Sequence, residues 1–347
     1  MRIEALVHSS GRVEEWWESR LKVWVDGEEV FPRIERLLLR AKHSIAVQMF
    51  VWKDDRVGRR IALLLLKAAE RGVRVQIAKE ELGDGLEFDE DFLSTRDADD
   101  PVWKGFWSHP NITVHFVRQG DHTKAFVFDG RILLLGGMNI GEEYRSEWHD
   151  FFVELHGTRF VTGFLLGEGA SSPQGTIRLV QNAARRRQIR PCLLELLRSA
   201  RTHVFLEQSY VSDPQVLGEL AALSRRGVTV TLILPEIPDF HAHANRQAAA
   251  LLLERGDHRF LQVLLYPRML HGKLVFVDGR RAFLGSANLL TSSLDWMGEA
   301  NVLIDRWHTR AILKLRRAIR RDVAMSRPLL SVPRLGLFGK LLALFGL

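Results

Sequence analysis

The chain has 347 residues, 46% of them hydrophobic, and a formal net charge of +7 at pH 7. This length predicts two domains of ordinary size, and the excess of basic residues favours an anionic partner, either a lipid surface or a nucleic acid. The single cysteine, Cys192, excludes an internal disulfide framework and fits a reducing compartment. No apolar run reaches the about 20 residues that a bilayer span needs, and residues 1–26 lack a signal-peptide core, so we expect a cytoplasmic protein.

The predicted elements follow one order in both halves of the chain. We predict a helix over 31–42, a strand over 44–52, a helix over 59–71 and a strand over 73–78, and the same series over 191–201, 202–206, 215–226 and 228–234. Helices that alternate with apolar strands are typical of α/β architecture with helix-covered sheets. The small and polar residues at 167–175 predict a linker. We therefore predict domains over 1–166 and 167–325, followed by an apolar tail over 326–347.

One pattern of polar residues occurs twice with the same spacing. Counting from each histidine, a lysine follows at +2, an aspartate at +7, an asparagine at +17 and a second carboxylate at +28. The first copy is His122, Lys124, Asp129, Asn139 and Asp150, and the second is His271, Lys273, Asp278, Asn288 and Glu299. Two copies in register indicate a duplicated unit that places half of one site in each half of the chain.

These residue types suit chemistry on a phosphodiester. Alternate residues of a strand share a face, so each histidine and the lysine at +2 are expected to aim at one spot. Two ammonium groups and two amides would hold a singly charged phosphodiester, and two imidazoles suit a nucleophile and a general acid. We predict that Asp150 and Glu299 accept the other ring N–H of the histidines, with plain surface ion pairs as the alternative. Asp129 and Asp278 begin Asp-Gly turns at odd offsets, which favours a structural role.

The two strings resemble the HKD motifs of the phospholipase D superfamily, and residues 25–305 are most similar to bacterial cardiolipin synthases. The resemblance implies two similar α/β domains related by a pseudo-two-fold axis, with the active site between them. It also implies phosphatidyl transfer through a phosphohistidine, without a metal or another cofactor, with His122 as the nucleophile and His271 as the acid. The catalytic set implied by the motifs is His122, Lys124, Asp129, His271, Lys273 and Asp278, with Asn139, Asn288, Asp150 and Glu299 as phosphate-binding and orienting residues.

We therefore predict a peripheral phosphatidyltransferase on the cytoplasmic side of the cell membrane. Its partners would be an anionic phospholipid surface and phosphatidylglycerol or a similar lipid. The first alternative is a phospholipase D that passes the same intermediate to water, and the second is a metal-independent nuclease or phosphodiesterase, although we expect no nucleic-acid partner. Two intact half-sites argue against a lipid-binding protein without activity.

The C-terminal region carries a separate prediction. Residues 306–321 hold seven Lys or Arg, and residues 329–347 are apolar apart from Arg334 and Lys340. A basic helix that leads into a short apolar tail is typical of an anchor lying in a membrane interface. The alternative is a tail that packs on the protein or on another subunit.

Overall fold

The computed structural model describes residues 21–84, 101–183, 186–305 and 309–330. The first half contains β1 (Leu21–Val25), β2 (Ser44–Met49), β3 (Arg74–Glu80), β4 (Ile112–Val117), β5 (Lys124–Phe128), β6 (Ile132–Gly136) and β7 (Phe151–His156). Its helices are α1 (Gly27–Arg40), α2 (Arg56–Glu70), α3 (Glu81–Asp84), α4 (Pro101–Ser108), α5 (Glu142–Ser146) and α6 (Thr158–Leu165). These strands form one sheet in the order β1-β7-β6-β5-β2-β3-β4.

The second half repeats this plan and adds short strands at its borders. Its strands are β8 (Ala170–Ser171), β9 (Ile177–Ala183), β10 (Arg186–Arg187), β11 (His203–Gln208), β12 (Thr229–Pro235), β13 (Leu261–Tyr266), β14 (Lys273–Val277), β15 (Arg281–Gly285), β16 (Glu299–Ile304) and β17 (Arg327–Pro328). Its helices are α7 (Ile189–Arg198), α8 (Pro214–Arg225), α9 (Ala242–Arg255) and α10 (Thr309–Met325), with a π-helical turn at Ser292–Trp296. The strand order is β10-β9-β16-β15-β14-β11-β12-β13-β17, and β8 pairs with β9.

The common part of the two sheets confirms the predicted α/β fold with two similar halves. The order β7-β6-β5-β2-β3-β4 matches β16-β15-β14-β11-β12-β13 strand for strand. In each half the first three strands along the chain within this unit are parallel, and the next strand, which begins a hairpin, pairs antiparallel with the first of them. The central strands bury side chains on both faces, because helices cover one face of each sheet and the other face packs toward the second sheet.

The predicted element boundaries shift by a few residues. The second helix begins at Arg56 rather than 59, because the Asp55 side chain accepts a hydrogen bond from the Gly58 N–H at 2.8 Å and caps the helix. The strand predicted over 44–52 ends at Met49. The domain boundaries at 166 and 325 stay predictions.

Three apolar clusters form the core, and one of them joins the halves. Two clusters each lie within one half. The third contains Phe151 and Val153 from β7 together with Leu274 and Phe276 from β14, all nearly fully buried. At about 1.5–3 kcal/mol for each fully buried large apolar side chain, this shared cluster fixes how one sheet lies on the other.

The basic helix of the C-terminal region packs on the protein along one face. It runs over Thr309–Met325, and Ala311, Ile312 and Leu315 are buried in the shared cluster. The chain then adds β17 to the border of the second sheet next to β13. Within the described ranges, we find no helix with the length and apolar character to cross a membrane. Most of the predicted apolar tail, residues 331–347, lies outside the described residues.

Candidate active site

The two motif strands begin at the same end of their sheets. Lys124 is the first residue of β5 and Lys273 the first residue of β14, and β2 and β11 end beside them. We call this end of the two sheets the site end. His122 and His271 precede the lysines by two residues, and the four side chains are nearly fully removed from solvent. Burying four basic groups near one another is unfavourable unless an anion binds among them, so the arrangement indicates an anion-binding site.

Each motif histidine takes its carboxylate partner from the opposite half. The Nδ1 atom of His122 lies 3.1 Å from Oε1 of Glu299, and the Nδ1 atom of His271 lies 2.7 Å from Oδ2 of Asp150. A carboxylate accepts a hydrogen bond from Nδ1–H, so each ring keeps an unprotonated Nε2 for chemistry while it is neutral. The pairing therefore selects the same tautomer in both half-sites when both carboxylates are ionised, and a protonated Asp150 selects the opposite tautomer of His271.

Short backbone bridges hold these crossed pairs in place. The His122 N–H donates to Gly298 O at 2.8 Å, and the Gly298 N–H donates to Gly120 O at 2.9 Å. In the other half-site, the His271 N–H donates to His149 O at 2.8 Å, and the His149 N–H donates to Met269 O at 3.0 Å. Each half thus fixes the backbone of the other directly beside a histidine.

Each lysine donates through Nζ to the backbone carbonyl of the histidine two residues before it, and the two lysines differ in their further contacts. The Nζ of Lys124 donates to the His122 carbonyl at 2.6 Å and lies 4.9 Å from the centre of the Phe50 ring. The Nζ of Lys273 donates to Ser209 Oγ at 2.9 Å and lies 3.4 Å from Nε2 of His271. Both ammonium groups face the region between the histidines rather than solvent.

Burial weakens the two histidines and the two lysines of the site as bases. Burial, together with the charge of Lys124, lowers the pKa of His122 to about 4, and burial and Lys273 lower the pKa of His271 well below its ordinary value. Burial also lowers the pKa of Lys273 to about 8 and that of Lys124 well below its usual range. Both imidazoles are therefore neutral at pH 7, and a bound phosphodiester would stabilise the charged lysines.

The two carboxylates differ in protonation. Burial raises the pKa of Asp150 to about 7. Burial also opposes the ionisation of Glu299, but the charge of His122 and its hydrogen bond outweigh it and hold the pKa of Glu299 below its usual value. The Ser286 hydroxyl also donates to Oε2 of Glu299. At neutral pH Asp150 is therefore partly protonated, whereas Glu299 is ionised.

The motif asparagines are buried and make unequal contacts. Oδ1 of Asn139 accepts from the Val51 N–H at 3.0 Å, and its Nδ2 donates to the Tyr144 hydroxyl at 2.9 Å. Oδ1 of Asn288 has no hydrogen-bond partner among the residues that the structure describes. Asn139 therefore supports the end of β2, and a phosphate-binding role for it rests on its remaining N–H.

The two motif aspartates lie at the far ends of the motif strands, and this corrects their place in the catalytic set. Asp129 follows β5 with φ of 50°, and its carboxylate accepts the backbone N–H groups of His43 and Ser44 at 2.8 and 3.0 Å. Asp278 has φ of 51° and accepts the backbone N–H of Thr202 at 2.9 Å. Each lysine begins a five-residue strand and each aspartate follows its last residue, so these carboxylates hold the turn at the opposite end of the strand from the lysines and histidines.

Aromatic residues that we had not assigned to the site surround the histidines. The centres of the Tyr144 and Trp148 rings lie 5.3 and 5.4 Å from that of His271, and Phe50 lies 4.8 Å from His122. Tyr210 lies 6.5 Å from His271 and packs on His241 at 4.6 Å. These aromatic residues lie within residues 25–305, the part of the chain that resembles cardiolipin synthases, and this was the available signal, but the spacing of the motifs did not assign them to the site.

Comparisons with known proteins agree with this geometry. Residues 34–164 and 193–323 match the protein family described as "Cardiolipin synthase, PLD-like domain". The chain is 28% identical over 334 residues to cardiolipin synthase B of Escherichia coli (strain K12), an alignment that covers 86% of this chain and 80% of that protein. It is 26% identical over 363 residues to a cardiolipin synthase of Geobacillus sp. (strain WCH70), with 93% of this chain and 70% of that protein covered.

A crystal structure gives the same fold. Phosphatidylserine synthase of Haemophilus influenzae Rd KW20 superposes with a TM-score of 0.72 at 16% identity, covering 94% of this chain and 92% of that one. The family match takes in both halves and well over half of the chain, and the predicted resemblance is confirmed. The chain therefore belongs to the cardiolipin synthase, phospholipase D-like family and is an enzyme of the phospholipase D superfamily.

Proposed function

We propose that the protein is a cardiolipin synthase that transfers a phosphatidyl group from one phospholipid to the hydroxyl of phosphatidylglycerol through a phosphohistidine. The observation that carries this proposal is the pair of crossed imidazole–carboxylate contacts between the halves, with a buried lysine beside each histidine. Two opposed imidazoles serve the two sides of a phosphorus atom in an in-line displacement.

In the first step His122 acts as the nucleophile. Its Nε2 forms a bond to phosphorus while the bond from phosphorus to the headgroup oxygen breaks. Glu299 supports the attack because its carboxylate stays ionised and stabilises the positive charge that develops on the ring. Lys124 and Lys273 stabilise the non-bridging oxygens.

In the acid form of the pair, Asp150 is protonated and donates to Nδ1 of His271, so the neutral ring carries its proton on Nε2. The ring gives that proton to the leaving alcohol in the same step, while the Asp150 proton passes to Nδ1. The raised pKa of Asp150 keeps a proton available within the pair at neutral pH, which suits an acid. In the second step the neutral ring of His271 takes the proton of the incoming hydroxyl, whose oxygen bonds to phosphorus as the bond to His122 breaks. If water is the acceptor, the same steps give phosphatidic acid, which is the alternative function.

We propose that the site end faces an anionic lipid surface, on the cytoplasmic side of the membrane. Ile237 and Phe240 follow β12 at the site end and are 77% and 50% exposed. Trp296, which is 73% exposed, ends the π-helical turn that lies between Asn288 and Glu299. Large apolar side chains around the mouth of a site support docking to lipid more than to a nucleic acid.

The decisive experiment supplies phosphatidylglycerol vesicles to the purified protein in the presence of EDTA and identifies the products by mass spectrometry. Cardiolipin and free glycerol are expected, and His122→Ala is expected to give neither product nor an acid-labile phosphoenzyme. Phosphatidic acid as the only product would show that the enzyme hydrolyses phospholipids and does not transfer the phosphatidyl group. Equal activity of the wild type and His122→Ala would refute the mechanism.

A further inference from the structure

A buried histidine beside the site, His149, faces carboxylates with both ring nitrogens. Its Nδ1 lies 2.5 Å from Oδ1 of Asp26, and its Nε2 lies 3.1 Å from Oε2 of Glu207 and 3.4 Å from Oδ2 of Asp322. The side chains of His149, Glu207 and Asp322 are completely removed from solvent. The carboxylates come from the residue before α1, from β11 and from α10, so this cluster joins the two halves.

The contacts fit a doubly protonated ring between ionised carboxylates. Burial raises the pKa of Glu207 to about 7, so the alternative is a neutral ring that accepts at Nε2 from a protonated Glu207. A neutral imidazole has one N–H and cannot donate to carboxylates on both sides, whereas an imidazolium donates from both nitrogens. Burial acts to lower the pKa of His149, but the hydrogen bonds to Asp26, Asp322 and Glu207 outweigh it and raise that pKa well above its ordinary value. Arg321 supplies the second positive charge, 3.0 Å from Asp322 and 3.6 Å from Asp26.

The remaining neighbours of the ring are aromatic. The centre of the Phe151 ring lies 4.9 Å from that of His149, nearly perpendicular to it, and the Tyr266 ring lies at 5.4 Å. These contacts exclude water from the cluster and strengthen its charge interactions. The orientation of the His149 ring is therefore fixed on all sides.

This cluster is bonded to the acid half-site through the backbone. The His149 carbonyl accepts from the His271 N–H at 2.8 Å. Oδ1 of Asp26 accepts from the Asp150 N–H at 3.2 Å, and the Asp26 N–H donates to the Asp150 carbonyl at 2.9 Å. The backbone of His149 therefore holds the backbone of His271, and Asp26, the partner of the His149 ring, holds the backbone of Asp150.

Among the residues that the structure describes, the other half-site has no equivalent of this cluster. The motif repeats at an offset of 149 residues, which places Gly298 at the position of His149. A Cβ atom at Gly298 would lie 2.6 Å from the Asp121 carboxylate carbon, so this position has no room for a side chain. Gln48 of β2 occupies the position of Glu207, since each pairs with the residue that follows the motif lysine. The two halves therefore differ at the positions of His149 and Glu207, and the cluster belongs to the half-site of His271 alone.

We propose that His149 is a positioning residue, held as an imidazolium between Asp26 and the carboxylates of Glu207 and Asp322, which keeps Asp150 and His271 in the geometry of the acid half-site. This inference rests on the proposed function in one respect, the assignment of His271 as the acid. The loss of the cluster is expected to slow protonation of the leaving group and to leave the attack by His122 almost unchanged.

A metal ion is the competing occupant of the cluster. One atom each from His149, Glu207 and Asp322 lies within 4.8 Å of the others, which is close enough to share an ion. The direct contact of 3.1 Å between Nε2 and Glu207, and the guanidinium of Arg321 beside Asp322, favour a proton over a second cation. Elemental analysis of the purified full-length protein separates the two, because a stoichiometric metal that is lost in His149→Gln would overturn the proposal.

The protonation state of His149 can be measured without an activity assay. In full-length protein with ¹⁵N-labelled histidine, we expect one imidazole that keeps both nitrogens protonated up to about pH 8.5, where histidines of ordinary pKa have already lost a proton. This signal should vanish in His149→Gln and persist in His156→Gln, a histidine that pairs with Glu154 away from the site end. A neutral or normally titrating His149 would overturn the proposal even if lipid transfer were proven.

The positioning role is tested on soluble phosphodiesters with good and poor leaving groups. His149→Gln and Glu207→Gln are expected to lower kcat by about tenfold to a hundredfold for an alkyl leaving group and only slightly for p-nitrophenol, with KM little changed. His156→Gln controls for a change in stability alone. Equal losses on both substrates, in step with a lower melting temperature, would show a structural role only. Lipid transfer by the wild type with no leaving-group dependence in these variants would refute this inference and spare the proposed function.

Discussion

The imidazole of His271 is bonded through Nδ1 to Asp150, a residue 121 positions earlier in the other half of the chain, at 2.7 Å. His122 is bonded in the same way to Glu299. Neither half therefore contains a complete catalytic pair, and the packing of one sheet on the other assembles both. The shared apolar cluster between β7 and β14 helps to set the distance between each ring and its carboxylate, and under the proposed function it supports catalysis in this way.

The crossed pairs predict that removing one carboxylate harms the histidine of the opposite motif. Glu299→Gln should lower the rate of phosphohistidine formation by about 10²–10⁴, because an amide does not stabilise the charged ring and can favour the wrong tautomer. Rapid-quench measurement of the phosphoenzyme gives this rate directly. Glu168→Gln, an exposed glutamate between the halves, is the control. A Glu299→Gln enzyme with a normal rate would contradict the role of the pair.

The acid role of His271 predicts a dependence on the leaving group. His271→Ala should lose far more activity toward a diester with an alkyl leaving group than toward one with p-nitrophenol, which departs without a proton. His122→Ala should lose activity toward both, because the nucleophile is required in each case. The comparison needs only steady-state rates on two soluble substrates. The reverse pattern in the two variants would exchange the roles of the histidines.

The lowered pKa of Lys273 predicts how anion binding depends on pH. With its pKa lowered to about 8 by burial, Lys273 is charged below about pH 8 and loses its charge as the pH rises through that value. Sulfate, whose charge is constant in this range, should therefore inhibit competitively with a Ki that rises about tenfold per pH unit above the transition. Lys273→Met should bind sulfate weakly and without this transition. Lys42→Met, at an exposed position, is the control, and the same pH profile in Lys273→Met would refute the assignment.

The sequence predicted the repeated fold and the motif residues because their signals are local. Strands β5 and β14 and the turns after them follow from short apolar runs that end in Asp-Gly. The crossing of the pairs could not be predicted, since the +28 offset relates Asp150 only to the histidine of its own copy. The same limit applies to His149, whose partners Asp26 and Asp322 approach it only when α1 and α10 have packed. The start of α2 was missed because the cap at Asp55 was not recognised as such.

A buried ion-pair cluster away from the site predicts a pH-dependent contribution to stability. Glu154 accepts from Arg33 at 2.7 and 2.9 Å and from Trp24 at 3.0 Å. Burial acts to raise the pKa of Glu154, but the hydrogen bonds from His156 and Arg33 outweigh it and lower that pKa to about 2. A folded-state pKa below the unfolded value stabilises the fold above about pH 4.5, and this stabilisation is lost as the pH falls toward 2.

Glu154→Gln should therefore lower the free energy of unfolding by about 3 kcal/mol at pH 7, in proportion to a shift of roughly two units, and by much less near pH 3. Urea denaturation at both pH values measures the difference. Glu70→Gln, an exposed change on α2, should have no such effect. A deficit of the same size at both pH values would show that the loss comes from packing rather than from charge.

The exposed apolar residues at the site end predict where the enzyme meets lipid. Trp296→Ser combined with Ile237→Ser should reduce partition into anionic vesicles by about tenfold or more, since each side chain contributes on the order of 1.5–3 kcal/mol when fully buried in an apolar phase. Activity toward a soluble diester should change little, because neither side chain contacts a motif histidine. Leu39→Ser is the matched control, since Leu39 is 51% exposed on α1, which leads into the opposite end of β2. Equal partition of the double variant and this control would place the membrane contact elsewhere on the protein.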